Sequence, residues 1–322
     1  MDYIISHQGV EAKKRPLPAI VATTALLLLV SALGVPHFVA AGNVLNIATQ
    51  ASILMMIAMP MTLIILSEGL DLSAGALLSL CSVCFALALG AGLGLGIALA
   101  LSVFVGLSFG ALNGVLISKL RLPPFVVTLG TFGIAQGTAL VLTDGNVVSV
   151  GSTSISQVYA WSLLGVPFPV LAALIIYGLT HLLLYHTRFG TYVFAIGGNR
   201  DSLVLAGIRA HLYHIGVYAF CGLIVGFAAL LLTGRMNSAH PTSAIGIEFD
   251  AIAAVVLGGT SFEKGDGWLF GTVLGVITIS VLRNALNLFG IESSLQVVSV
   301  GVLVLVIILI DSARKSRMGK NV

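Results

Sequence analysis

Residues 194 to 211 read FAIGGNRDSLVLAGIRAH, and they gather Asn199, Arg200, Asp201, Arg209 and His211 in a chain that is only 8% charged. No nucleophile with an adjacent base and orienting group emerges from these residues, so they do not read as a catalytic set. They read instead as the two ends of a short helix. Asn199 suits the N-cap, where a side-chain oxygen accepts a free backbone N–H. Asp201 complements the positive end of the helix dipole. Gly207 is the residue that ends it. The expected product is about two turns, separated from the preceding helix by Gly197 and Gly198, with Leu203, Leu205 and Ala206 free for contact. A helix this short is unstable alone and too polar to span a membrane, so it reads as a plug for a groove on a partner.

Other residue types that carry chemistry give bland readings. Cys81 and Cys84 form a Cys-x-x-Cys without a second pair or a neighbouring His, and packing explains them better than metal. His181 and His186 are five apart and do not share a helical face as a zinc pair would. His211 and His214 do share one, beside Arg209, in an interfacial position. No phosphate-binding loop is present, and the glycines of GAGLGLG (90 to 96) follow no strand. Neither a metal nor a cofactor is expected on this chain. The polar amides and hydroxyls in apolar surroundings, Asn113, Thr128, Gln136, Asn284 and Asn287, are neutral donors and acceptors that a path for a hydroxyl-rich solute would need. Glu68, Asp71, Glu248 and Asp250 are expected at span ends, leaving Arg283, near an outer span end, as the main charge in the membrane. Proton-coupled carriers usually titrate buried carboxylates, so this pattern argues against that class.

The elements that hold these residues follow from composition. The chain has 322 residues, is 58% hydrophobic and has a mean hydropathy of +1.09. A soluble domain carries about 25% charged residues, so this one belongs in a bilayer. Apolar stretches near spanning length run over 17–40, 44–67, 72–90, 92–117, 125–143, 162–186, 212–233, 268–289 and 294–311. A tenth, 249–258, is short and reads as a half-span or re-entrant helix. With the N-terminus inside and all ten segments crossing, every Lys and Arg except Arg235 and Arg283 falls on the cytoplasmic side, as the positive-inside rule requires. The fold class is therefore an all-α polytopic membrane protein of about ten transmembrane helices. It forms one membrane domain over 1–322, with cytoplasmic tails at 1–16 and 312–322 and a cytoplasmic loop at 187–211. The first apolar segment is longer than a signal-peptide core and is expected to stay. The net charge of +3 is dispersed among short loops, which excludes a nucleic-acid face. Gly106, Gly110 and Gly114, Gly222 with Gly226, and Gly271 with Gly275 recur every fourth residue and permit close helix approach.

Five blocks carry a specific resemblance: LSEGLDLSAGALLSL (66 to 80), GALNGVLISKLRLPPFVVTLGTF (110 to 132), TRFGTYVFAIGGN (187 to 199), the loop that follows it, and EFDAIAAVVLGGTSFEKGDGWLFGT (248 to 272). Together they resemble permease subunits of bacterial ABC importers for ribose, xylose, arabinose, galactosides and autoinducer-2. Two departures stand out. Asp201, Ser202 and Leu203 replace the family's usual Glu-Ala-Ala, and Phe262, Glu263 and Lys264 follow GGTS where further glycines are common.

The resemblance implies a cobalamin-importer-type architecture in the bacterial inner membrane, two permease subunits enclosing one pathway. It implies an ATP-binding subunit that carries ATP and Mg²⁺, and a periplasmic sugar-binding protein. Gly198, Asn199, Arg200, Asp201, Leu203, Leu205 and Gly207 take the positions of the coupling helix that engages the ATPase. Phe125 joins Asn113, Thr128, Gln136, Asn284 and Asn287 as a pathway candidate. Asp71, Gly75, Pro124, Glu248 and Asp250 sit in family motifs where a structural role is as good as solute contact. The expected function is import of a monosaccharide or similar polyhydroxy solute. An ion-coupled secondary sugar transporter is the alternative.

Overall fold

The computed structural model describes residues 17–151, 153–261, 265–292 and 294–302. The tails 1–16 and 312–322, the end of the last apolar segment and the Phe262-Glu263-Lys264 departure lie outside the described residues. Helices occupy the apolar runs and, as α6 and α8, two stretches between them: α1 (Leu17–Gly34), α2 (Ala41–Leu66), α3 (Ala74–Gly90), α4 (Gly94–Ser118), α5 (Pro124–Thr143), α6 (Thr153–Ala160), α7 (Phe168–His186), α8 (Arg188–Leu205), α9 (Ala210–Met236), α10 (Ile247–Leu257) and α11 (Leu269–Leu288). A further helical run spans 294 to 302. Six of them, α2, α4, α5, α7, α9 and α11, are long and apolar enough to cross a membrane; α3 and the Ile20–Gly34 part of α1 are shorter apolar helices. Two pairs of tiny antiparallel strands tie loops, β1 (Val148–Ser149) with β4 (Ser238–Ala239) and β2 (Ser162–Leu163) with β3 (Val166–Pro167).

A helix that is apolar on every side must be surrounded, and α2 is: every residue from Ser52 to Leu66 is buried. A close seam lies between α4 and α9. A methyl group on Gly106 would overlap the Gly222 carbonyl, and one on Gly110 would overlap that of Tyr218. Lipid offers no hydrophobic drive for helices to associate, so this seam depends on van der Waals contact between bare backbones. Ser102 adds a hydrogen bond to the Gly226 carbonyl at 2.7 Å. Polar pairs join the helices around α11: Thr24 with Thr278 at 2.7 Å, Thr62 with Thr272 at 2.8 Å, and Asn43 with Asn284 in two reciprocal amide bonds of 2.8 and 2.9 Å.

Three features depart from the expected pattern. The segment expected to span from 162 begins as the β2–β3 hairpin, with Leu164 and Gly165 at φ 51° and 80°, and its helix starts only at Phe168. The loop expected over 187–211 is mostly helix. Its break falls at Asn199, at φ −163° and ψ 89°, after Gly197 and Gly198 have both continued the helix. Gly197 serves packing instead, since a methyl there would overlap the Leu66 carbonyl. The short segment near 249–258 is α10, eleven residues and so about 16 Å long, half the hydrocarbon thickness of a bilayer.

Candidate functional site

The part of α8 after its break is built as an independent helical turn. Asn199 Oδ1 accepts the Ser202 backbone N–H at 3.0 Å, which caps the new start. At the other end the Gly207 N–H bonds the Val204 carbonyl and the Ile208 N–H bonds the Leu203 carbonyl, both at 3.0 Å, with Gly207 at φ 74°. That is a Schellman ending, with Ile208 packed against the apolar cluster that holds Leu203. Leu203, expected to be free for contact, is therefore buried at 8% exposure with Ile196 and Ala210, because it supplies the apolar staple of its own helix end. The free apolar side chains are Val204, Leu205 and, as expected, Ala206, with Leu205 88% exposed.

Beside this turn a cavity of about 880 Å³ opens between the α2–α3 connection, the α4–α5 connection and the α8–α9 region. Lys119, Arg121, Arg200 and Arg209 line it together with Glu68 and Asp201. His211 and His214 share this wall, as their spacing predicts, but His214 is 4% exposed and both its ring nitrogens lack a partner among the described residues.

The pathway candidates do not converge on one lumen. Asn113 is fully buried and donates to Ser73 Oγ at 3.0 Å; Ser73 in turn bonds Asp71 Oδ1 through its hydroxyl at 2.6 Å and its backbone N–H at 2.8 Å. Thr128 is buried and bonds back to the Pro124 carbonyl at 2.9 Å, Pro124 being the first residue of α5. Asn284 is occupied by Asn43. Phe125 and Asn287 are exposed at helix ends. Gln136 is half-buried, and neither atom of its amide finds a partner among the described residues.

Of the four acids expected at span ends, Glu68 is exposed beside the cavity, whereas the other three lie buried inside the fold. Asp71, Glu248 and Asp250 are 2%, 1% and 7% exposed. The reason is that α10 starts within the bundle, against the start of α3. A methyl on Gly75 would overlap Glu248 Oε2 and the Ala244 carbonyl, and the Glu248 carboxylate accepts the Gly246 N–H at 3.0 Å. From there α10 runs antiparallel to α11, with Ala254 pressed on Gly275 and Gly258 on Gly271. Asp250 meets Arg283 at 2.7 Å, the one ion pair among the described residues. Sequence reasoning placed Arg283 near an outer end and gave it no partner. It also passed over Tyr218, whose hydroxyl accepts from the Leu70 N–H at 3.2 Å and donates to the Leu70 carbonyl at 3.1 Å, fixing the α2–α3 connection.

A family model described as the permease component of the branched-chain amino acid transport system matches residues 43–310, from the second residue pair of α2 to beyond the last described helix. The chain belongs to that permease family. Its relatives in the family include the ribose import permease protein of Escherichia coli (strain K12), 37% identical over 92% of this chain and 94% of the relative. The ribose import permease protein of Bacillus subtilis (strain 168) is 38% identical over 90% and 91%. The D-allose transport system permease protein of Escherichia coli (strain K12) is 33% identical over 85% of each. No solved structure matches the chain. As a family permease with six helices of spanning length and composition, the chain is a multi-pass membrane protein.

Proposed function

We infer that this chain is the permease subunit of an ATP-driven importer that moves a monosaccharide or similar polyhydroxy solute into the cytoplasm. The observation that carries the reading is similarity along nine-tenths of the chain to permeases named for ribose import. ATP and Mg²⁺ belong on a separate ATP-binding subunit, and an exported sugar-binding protein delivers the solute. Val204 and Leu205 stand exposed on the turn that follows Asn199, which suits seating in a groove of the ATPase. Gly198, Arg200 and Asp201 flank that contact, and Leu203 holds the turn from beneath.

Ten crossings in the manner of the cobalamin importer, with both termini cytoplasmic, accommodate α1 to α5, α7, α9, α10, α11 and the helix from 294. Two such subunits enclose the pathway. The relatives' names favour sugar over amino acid and give no support to ion coupling. The test is uptake by membrane vesicles containing the chain, its ATPase and its binding protein, offered radiolabelled ribose, allose, xylose and leucine. ATP-dependent uptake of a sugar is expected. Uptake of leucine alone, or sugar uptake indifferent to ATP, would overturn the reading.

A further inference from the structure

The Asp250–Arg283 pair invites a question that packing does not answer. Two charges are costly inside a membrane protein, and those that persist there face a bundle interior or a wet cavity. Replacing a buried ion pair by apolar side chains is often neutral or stabilising. Nor do α10 and α11 need it to stay together. Their backbones already touch at Gly258 with Gly271 and at Ala254 with Gly275, and Trp268 Nε1 donates to the Gly258 carbonyl at 2.8 Å.

Three observations point to a ligand. The pair is incompletely covered, with the side chains of Arg283 and Asp250 21% and 10% exposed. Arg283 Nε is buried without an acceptor among the described residues, although a guanidinium presents its donors as a planar fork. Asp250 also sits one turn into a helix that begins inside the fold, and interrupted helices at membrane depth are tolerated only where they are buried in protein or line a water-filled cavity. A carboxylate beside a guanidinium offers acceptors and donors side by side, the complement of two neighbouring hydroxyls. Mutual neutralisation leaves no net charge to attract ions.

We propose that Asp250 and Arg283 form a hydroxyl-binding station for the sugar in transit, with the Arg283 fork and the free edge of the Asp250 carboxylate contacting adjacent hydroxyls. The proposal rests on the sugar-import reading above. Its ligand class is a neutral vicinal diol, which a sugar supplies and an amino acid does not.

The test uses the reconstituted complex of permease, ATPase and loaded binding protein, with whichever of ribose, allose and xylose the wild type carries best. Arg283→Gln and Asp250→Asn are expected to assemble and hydrolyse ATP while losing uptake at least tenfold. The charge-swapped double variant Asp250→Arg/Arg283→Asp rebuilds the ion pair but reverses donor and acceptor, so it is expected to regain thermal stability without regaining uptake. Arg283→Lys keeps the charge and loses the fork; it is expected to change the preference among the three sugars. Recovery of uptake in the swapped variant, or wild-type rate and preference in Arg283→Lys, would show that the pair only holds helices together and would overturn the proposal. Failure of the import reading is visible separately, as a wild type that carries none of the three sugars, and the station falls with it.

Discussion

Gly75 and Glu248, 173 positions apart, are in direct contact: the α3 glycine leaves room for the carboxylate at the start of α10, and a single methyl would collide with it. This contact joins the two helix starts that meet inside the bundle. Overpacking of such a site costs about 1–3 kcal/mol, so Gly75→Ala is expected to lower the melting temperature of the detergent-purified protein. Glu248→Ala empties the same space. The double variant should be less destabilised than the sum of the two single changes, and a strictly additive cycle would contradict the contact.

The α4–α9 seam makes a contrast within one residue type. Gly110 presses on the backbone of α9, whereas Gly133 on α5 has nothing within 4 Å. Gly110→Ala is expected to destabilise, by about 1–3 kcal/mol. Gly133→Ala is expected to be neutral or to stabilise by up to about 1 kcal/mol, since alanine is the better helix former. Thermal unfolding of the two variants side by side decides this, and equal effects would argue against the seam.

Tyr218 fixes the α2–α3 connection through both polar groups of Leu70. Phenylalanine keeps the ring and leaves a half-buried N–H and carbonyl unpaired, at up to about 1–3 kcal/mol. Tyr218→Phe should therefore melt earlier and exchange the Leu70 amide faster, as hydrogen exchange read by mass spectrometry would show.

Gly207 at φ 74° closes the turn after Asn199. A side chain in the left-handed region costs about 1–2 kcal/mol. That penalty should stay local. Gly207→Ala is expected to speed proteolytic nicking between Asn199 and Arg209 while leaving the global melting temperature within about 2 °C of wild type, the range of a local opening.

How much of this the sequence carried depends on the range of the interaction. The turn from Asn199 to Gly207 was legible because its capping and termination use neighbours in the chain: the Asn199 cap and the Gly207 ending are where the residue types place them. Leu203 was misjudged because apolar residues on so short a helix look alike until its end folds one of them under. Most of the apolar segments were legible from length and hydropathy alone, but hydropathy did not distinguish the hairpin at 162–167 from the helix that follows it. What could not be read was depth. Asp71, Glu248 and Asp250 stand beside apolar runs in sequence, and only the meeting of α3 with α10 places them inside the bundle. The glycine spacing of α4 and α9 foretold close packing, and the seam fills both stripes, whereas the glycines of α5 have no neighbour. Asn113 and Asn284 looked like pathway amides because a polar side chain in an apolar run needs a partner. They find Ser73 and Asn43, which lie on other elements 40 and 241 positions away.

The most direct test of the account replaces Leu205, whose side chain is 88% exposed and so has little to lose within this chain. The complex of permease, ATPase and binding protein, reconstituted in liposomes, would be assayed for ATP-driven sugar uptake with wild type and Leu205→Asp. The account predicts that the variant inserts, melts like wild type and loses at least tenfold in uptake, because the ATPase no longer seats on the turn. Undiminished uptake by the variant, or wild-type uptake that continues without ATP, would contradict it.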